Sequence, residues 1–178
     1  MYEQFKTRAE GVSAEVHRFS TRGEALVFVT GFLREQETAD APGSRALWAE
    51  CPFLDGLDRS PMTPLDGLGF RVTRELAAQA RIGISQLRWA LADTGSLVQD
   101  ATAVEQRLVS TLPDIHIALV PTGGIITDMP ALLERLRPEQ SSYIAFITGP
   151  SRTADIERVL TIGVHGPERL VIVFVDEL

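Results

Sequence analysis

Three short segments hold most of the side chains that could do chemistry. The sharpest is ITGPSRTADIE, residues 147–157, where an apolar run passes through Gly149 and Pro150 into Ser151, Arg152 and Thr153. Gly149 lets backbone approach a ligand closely, and the two hydroxyls can cap a helix or bind. The planar Arg152 guanidinium matches a carboxylate or phosphate. A strand leading into a helix is predicted here, and in a parallel sheet that junction is where ligands bind, with free helix amides adding to an anion site. The competing reading is simple capping by Ser151 or Thr153. Asp155 and Glu157 would then complement the helix dipole and already place negative charge where an anion would go.

The second segment is ALADTGSL, residues 90–97, an apolar run interrupted by Asp93, Thr94, Gly95 and Ser96. Such an insert is either a tight turn, for which Asp and Gly are ordinary residues, or the edge of a site with Asp93 as acceptor or general base. The third, GVHGP at 163–167, uses Gly163 as a helix stop and presents His165 as an acid, base or donor, or else as a turn residue bonding backbone. His116, at the mouth of a strand after Pro113, invites the same pair of readings, and Arg107 could bind an anion or be solvated surface. Cys51 has no local activator and is set aside as a nucleophile. The catalytic candidates are therefore Asp93 and His165, and the ligand-binding candidates are Thr94, Gly95, Gly149, Ser151, Arg152 and Thr153.

The elements that must position these residues follow from periodicity. Residues 3–12 read as a short helix and AEVHRF as a half-buried edge strand. Thr21 and Glu24 form a capping-box signature, after which Ala25, Leu26, Val29, Phe32 and Leu33 share one helical face up to about Gln36. Residues 37–68 are rich in loop formers, with a strand at RALWA. Leu47, Trp48, Phe53 and Leu54 would be wasted in a free tether, so the excursion is predicted to pack over the domain, although Trp48 and Phe53 could instead form a docking surface. Beyond it come FRV, a helical RELAAQA and IGIS. Three apolar runs follow, HIALV, YIAFIT and LVIVFV, separated by helical stretches at 129–137 and 154–162. Strands apolar on both faces alternating with helices predict an α/β fold with a mainly parallel sheet covered on both sides. A single domain over 1–178 is expected.

Composition narrows the function. With 178 residues the chain can bury a sizeable core without staples. Twenty-four acidic against 17 basic residues give a formal net charge of −7, which disfavours nucleic acid and anionic membranes as partners. Sixteen of the basic residues are Arg and only Lys6 is Lys, a compositional bias from which no function is drawn. One cysteine and three separated histidines, His17, His116 and His165, offer neither an iron–sulfur ligand set nor a helical zinc motif, so no metal is expected in this chain. No apolar run approaches the ~20 residues of a membrane-spanning helix, and the polar N-terminus does not read as a signal sequence, so the expected location is cytoplasmic.

Taken in order and spacing, ADTGS, RLVSTL running into PDIHIALV, GPSRTADIE and GVHGP resemble the lactate-utilisation protein C family, or LUD domain, over about the last hundred residues from Gln79. The resemblance implies a three-layer α/β/α fold similar to the ribose-phosphate isomerase, glucosamine-phosphate deaminase and CoA-transferase group. It implies membership of a bacterial three-protein system oxidising L-lactate to pyruvate, in which partner proteins carry the iron–sulfur clusters and this chain is the short, cluster-free type. The family pattern AETGT or ADTGT reads ADTGS here, which keeps the acid and a hydroxyl. No catalytic residue is carried over. The expected role is a subunit that holds a small carboxylate or other anion, with Arg152 pairing the carboxylate and Ser151, Thr153 and Asp93 completing a polar cleft. A self-sufficient sugar-phosphate or CoA-ester enzyme, with Asp93 as base, and a non-catalytic ligand sensor are the alternatives.

Overall fold

A computed structural model describes residues 1–154, 160–162 and 165–178. In chain order the elements are α1 (Tyr2–Gly11), β1 (Glu15–Phe19), α2 (Arg22–Glu35), β2 (Arg45–Trp48), β3 (Leu68–Gly69), α3 (Arg74–Ala77), β4 (Ala80–Gln86), β5 (Trp89–Leu91), β6 (Ser96–Asp100), α4 (Val104–Thr111), β7 (Ile115–Pro121), β8 (Ile125–Ile126), α5 (Met129–Leu133), β9 (Ile144–Ile147), β10 (Arg152–Ala154), β11 (Leu160–Ile162) and β12 (Arg169–Val175).

The most apolar segments, β7 and β12, pair in parallel at the middle of a six-stranded sheet of order β1-β12-β7-β4-β2-β3, in which every pairing is parallel. Alternation along these strands feeds two cores, which is why they are apolar throughout. Ile115, Ile117 and Leu119 of β7, with Val171, Val173 and Val175 of β12, pack with Leu26, Val29 and Leu33 of α2. Ala118, Val120, Leu170, Ile172 and Phe174 face the other way, toward Phe5 and Ala9 of α1 and Ala90, Leu97 and Ile125 of a second sheet. Phe174 is clasped edge-on by Tyr2 and Phe5 at centroid distances of 5.5 and 5.1 Å.

The helix expected from Thr21 forms as α2, with both halves of its capping box. The Thr21 hydroxyl accepts from the Glu24 amide, and the Glu24 carboxylate accepts from the amide of Thr21. In the 37–68 excursion Leu47, Trp48, Phe53 and Leu54 are all buried, so it packs on the domain and the docking surface at Trp48 and Phe53 falls away. On the face opposite α2, Gly83 brings β4 against α4. A Cβ there would lie 1.9 Å from the Val109 carbonyl oxygen, so only glycine permits this spacing.

Two expectations change. YIAFIT does not join the parallel sheet. Its strand, β9, is an edge of the second, four-stranded sheet of order β8-β5-β6-β9 and runs antiparallel to β6. The helix expected over 154–162 is not what its ends form. Arg152–Ala154 and Leu160–Ile162 pair antiparallel as β10 and β11, while residues 155–159, like the stop expected at Gly163, lie outside the described residues. Without a helix starting at Thr153, the helix-amide contribution to an anion site there is lost.

Candidate functional site

The segments after β9 and before β12 meet. The Ser151 amide donates to the Pro167 carbonyl at 2.8 Å, and Gly166 sits so close that a Cβ on it would be 3.3 Å from the Ser151 Cβ. Between them opens a cleft of about 310 Å³ lined by Thr148, Gly149, Ser151, Arg152, His165 and Gly166, with Ser110, Thr111, Phe146 and Ile147 alongside and His116 and Leu170 on its buried side. His116 and Leu170 are early residues of β7 and β12, which pair with each other. The cleft therefore lies at the amino ends of these parallel strands, opposite to the carboxyl-end location expected of open parallel sheets.

Four of the residues singled out in the sequence, Gly149, Ser151, Arg152 and His165, are thus brought together. Gly149 has φ +68°, and a Cβ on it would stand 2.5 Å from the Val12 carbonyl oxygen, so its backbone lies directly against the end of α1. Arg152 reaches the same carbonyl. Its Nη2 donates to Val12 O at 2.8 Å and to the Ser13 hydroxyl at 2.6 Å, a cation at a helix C-terminus. One guanidinium nitrogen is committed to that role, while the side chain is exposed and borders the cleft. Thr153 lies in β10 opposite Thr161.

Asp93 and Thr94 are placed elsewhere. They belong to the turn between β5 and β6, where the Gly95 amide donates to Leu91 O at 3.0 Å. They border a separate hollow with Thr7, Arg8, Gly11 and Val12. Asp93 Oδ1 is buried without a hydrogen-bond partner among the described residues. Gly95, at φ +69°, lies against α1 with the Ala9 nitrogen 2.4 Å from where its Cβ would be, so it serves turn geometry and close packing. Arg107 stacks over Tyr143 at 5.0 Å and lines a third hollow adjoining the cleft at Ser110, Thr111 and Ile147.

His116, a possible donor or turn residue by sequence, has partners that only the fold brings to it. The ring is wholly buried, and its Nε2 lies 2.8 Å from the Ser85 hydroxyl. Ser85 accepts from Gln99 Nε2 at 3.2 Å, Gln99 Nε2 also donates to Gln106 O at 3.1 Å, and Ser110 donates to Gln99 Oε1 at 2.8 Å. Burial alone pushes His116 from its ordinary value down to about 3, so the ring is neutral. Its Nδ1 has no partner among the described residues. The visible signal was Ser85, Gln99, Ser110 and His116 each standing beside apolar residues in IGIS, SLVQ, RLVS and IHIALV, which gains meaning only when these elements are laid together.

The Cys51 thiol is buried and pushed up chiefly by desolvation, away from thiolate chemistry. Among the described residues no cluster of three or more His, Cys, Asp or Glu is arranged to hold a metal, and no helix is long and apolar enough to cross a membrane.

A LUD domain model matches residues 2–175, extending the likeness well before Gln79. Lactate utilization protein C of Exiguobacterium sp. is 39% identical over 112 residues, 60% of this chain and 49% of its own length. The Bacillus subtilis protein of that name is 36% identical over 107 residues, 57% of this chain and 45% of its own. That of Shouchella clausii is 30% identical over 153 residues, 79% and 67% respectively. The chain spans about half the length of most of these relatives. Its fold is similar to a crystal structure of a DUF162 family protein from Deinococcus radiodurans, with a TM-score of 0.62 and 19% identity over 98% of this chain and 95% of that one. From a domain match running almost end to end, together with the fold built from it, the chain belongs to the LUD domain family.

Proposed function

We propose that this chain serves lactate utilisation as a cluster-free subunit, holding a small carboxylate in the cleft between residues 148–152 and 165–167 while partner proteins carry the iron–sulfur clusters that take up electrons. The observation that carries the reading is the convergence of Gly149, Ser151, Arg152 and His165 on one cleft of about 310 Å³. That space is ample for a small carboxylate together with bridging water. The relatives named for lactate utilisation supply the choice of carboxylate. Arg152 offers donors beyond the one held by Val12 and Ser13, and Ser151 offers a hydroxyl whose amide is already fixed by Pro167. The alternative with Asp93 as general base is less favoured, because Asp93 borders a different hollow from the anion-binding candidates.

The test is reconstitution. Lactate-dependent dye reduction is measured in extract of a strain lacking the gene, with the purified wild-type chain or with Ser151→Ala and Arg152→Lys added back. Restoration by the wild type and reduced restoration by both variants is the expected result. Equal activity with and without the chain would reject the pathway role, and full activity of both variants would reject the cleft.

A further inference from the structure

The hydrogen-bond pattern around His116 determines which ring nitrogen carries its proton. Gln106 O can only accept, so the Gln99 atom facing it is the amide nitrogen, and that same nitrogen donates to Ser85. The Ser85 hydroxyl, having accepted from Gln99, has its own hydrogen to place, and its other hydrogen-bond partner among the described residues is His116 Nε2. In this arrangement Nε2 accepts, and the single hydrogen of the neutral ring sits on Nδ1. The opposite tautomer would leave both the Ser85 hydrogen and the Nδ1 lone pair unmatched inside the protein, each an unfavourable orphan. Nδ1–H is thus a buried donor that finds no acceptor among the described residues. His116 is among the residues that line the cleft, and Ser85 is not.

We propose that His116 reads the uncharged C2 oxygen of a 2-hydroxy or 2-oxo acid, donating from Nδ1 while the carboxylate stays at the rim with Ser151, Arg152 and His165. This rests on the small-carboxylate reading of the cleft and adds a discriminating contact to it. The division follows from solvation. A carboxylate pressed against buried Leu170 and the neutral ring would lose its water without gaining a countercharge, whereas a keto or hydroxyl oxygen needs only a donor. At the exposed rim the reverse holds, since Arg152 and His165 keep a carboxylate solvated and paired. His116 exposes no surface, so its neighbours must part slightly as the ligand oxygen arrives.

The experiment is nitrogen-15 NMR of the full chain, with the three histidines assigned by substitution and with L-lactate, pyruvate and propionate as probes. In the free protein His116 is expected to hold its hydrogen on Nδ1 throughout the neutral pH range. Pyruvate or lactate shifts that ring together with the amides of Gly149 and Gly166. Propionate, which lacks the C2 oxygen, shifts the amides alone and binds about tenfold or more weakly, the effect of leaving a buried donor unpaired. A hydrogen found on Nε2, a ring unmoved while the cleft amides respond, or propionate binding equal to pyruvate overturns the role of His116 and leaves the carboxylate cleft standing. Silence of the cleft amides toward all three acids overturns both.

Discussion

His116 shows how a single residue couples the interior to pH. Burial holds its folded-state pKa at about 3, below the ordinary 6.5, so below 6.5 the unfolded chain takes up a proton that the native chain refuses. Stability contributed by this group is therefore complete above about 6.5 and is lost as pH falls toward 3, with a slope approaching ~1.4 kcal/mol per pH unit. His17, also lowered chiefly by burial, acts with the same sign. Urea unfolding at pH 5 and pH 7.5 is expected to show wild type losing stability on acidification and His116→Asn losing less; equal losses would place the pH dependence elsewhere. Asp93, Thr94 and Gly95 illustrate the limit of reading residues singly. Their types fit both a turn and the edge of a site, and the packing of α1 against Gly95 and the hollow beside Asp93 become visible only in the fold.

At the level of elements, legibility tracked how local the determinants are. The start of α2 was readable because Thr21 and Glu24 interact within one turn, and the capping box forms as the spacing implies. Thr21→Ala is expected to lower stability by about 1 kcal/mol in urea unfolding, with Thr21→Gly nearer wild type. β9 was misplaced because a short apolar run reads alike whether it is a central parallel strand or an antiparallel edge strand; its partner β6 is supplied by topology. The 154–162 stretch mixes helical spacing with the β-favouring residues of VLTI, and backbone pairing of β10 with β11 outweighed helical propensity at its ends.

Across the whole molecule, the layers are held at a spacing that single atoms can violate. Gly83→Ala would drive a Cβ into Val109 O and is expected to destabilise by about 2–3 kcal/mol or more, because α4 must lift from β4. Gly31→Ala on α2, with nothing within 4 Å of the new methyl, is the matched control and should be neutral or stabilising by ~0.5–1 kcal/mol. Parallel thermal and urea melts separate these outcomes. The same layering created the cleft, since α4 delivers Ser110 and Thr111 to the amino ends of β7 and β12, where the loops at 148–152 and 165–167 close over them. Periodicity, capping and strands apolar on both faces are local properties, so the α/β class, the helix at 22–35, the buried excursion and the loops that carry candidate binding residues were legible from residue order alone. Which of those loops meet, that Arg152 caps α1 while bordering a cleft, and that Ser85, Gln99, Ser110 and His116 join in one buried chain were decided by tertiary structure alone. These depend on contacts between residues distant in sequence, whose geometry exists only after the sheets and helices have packed.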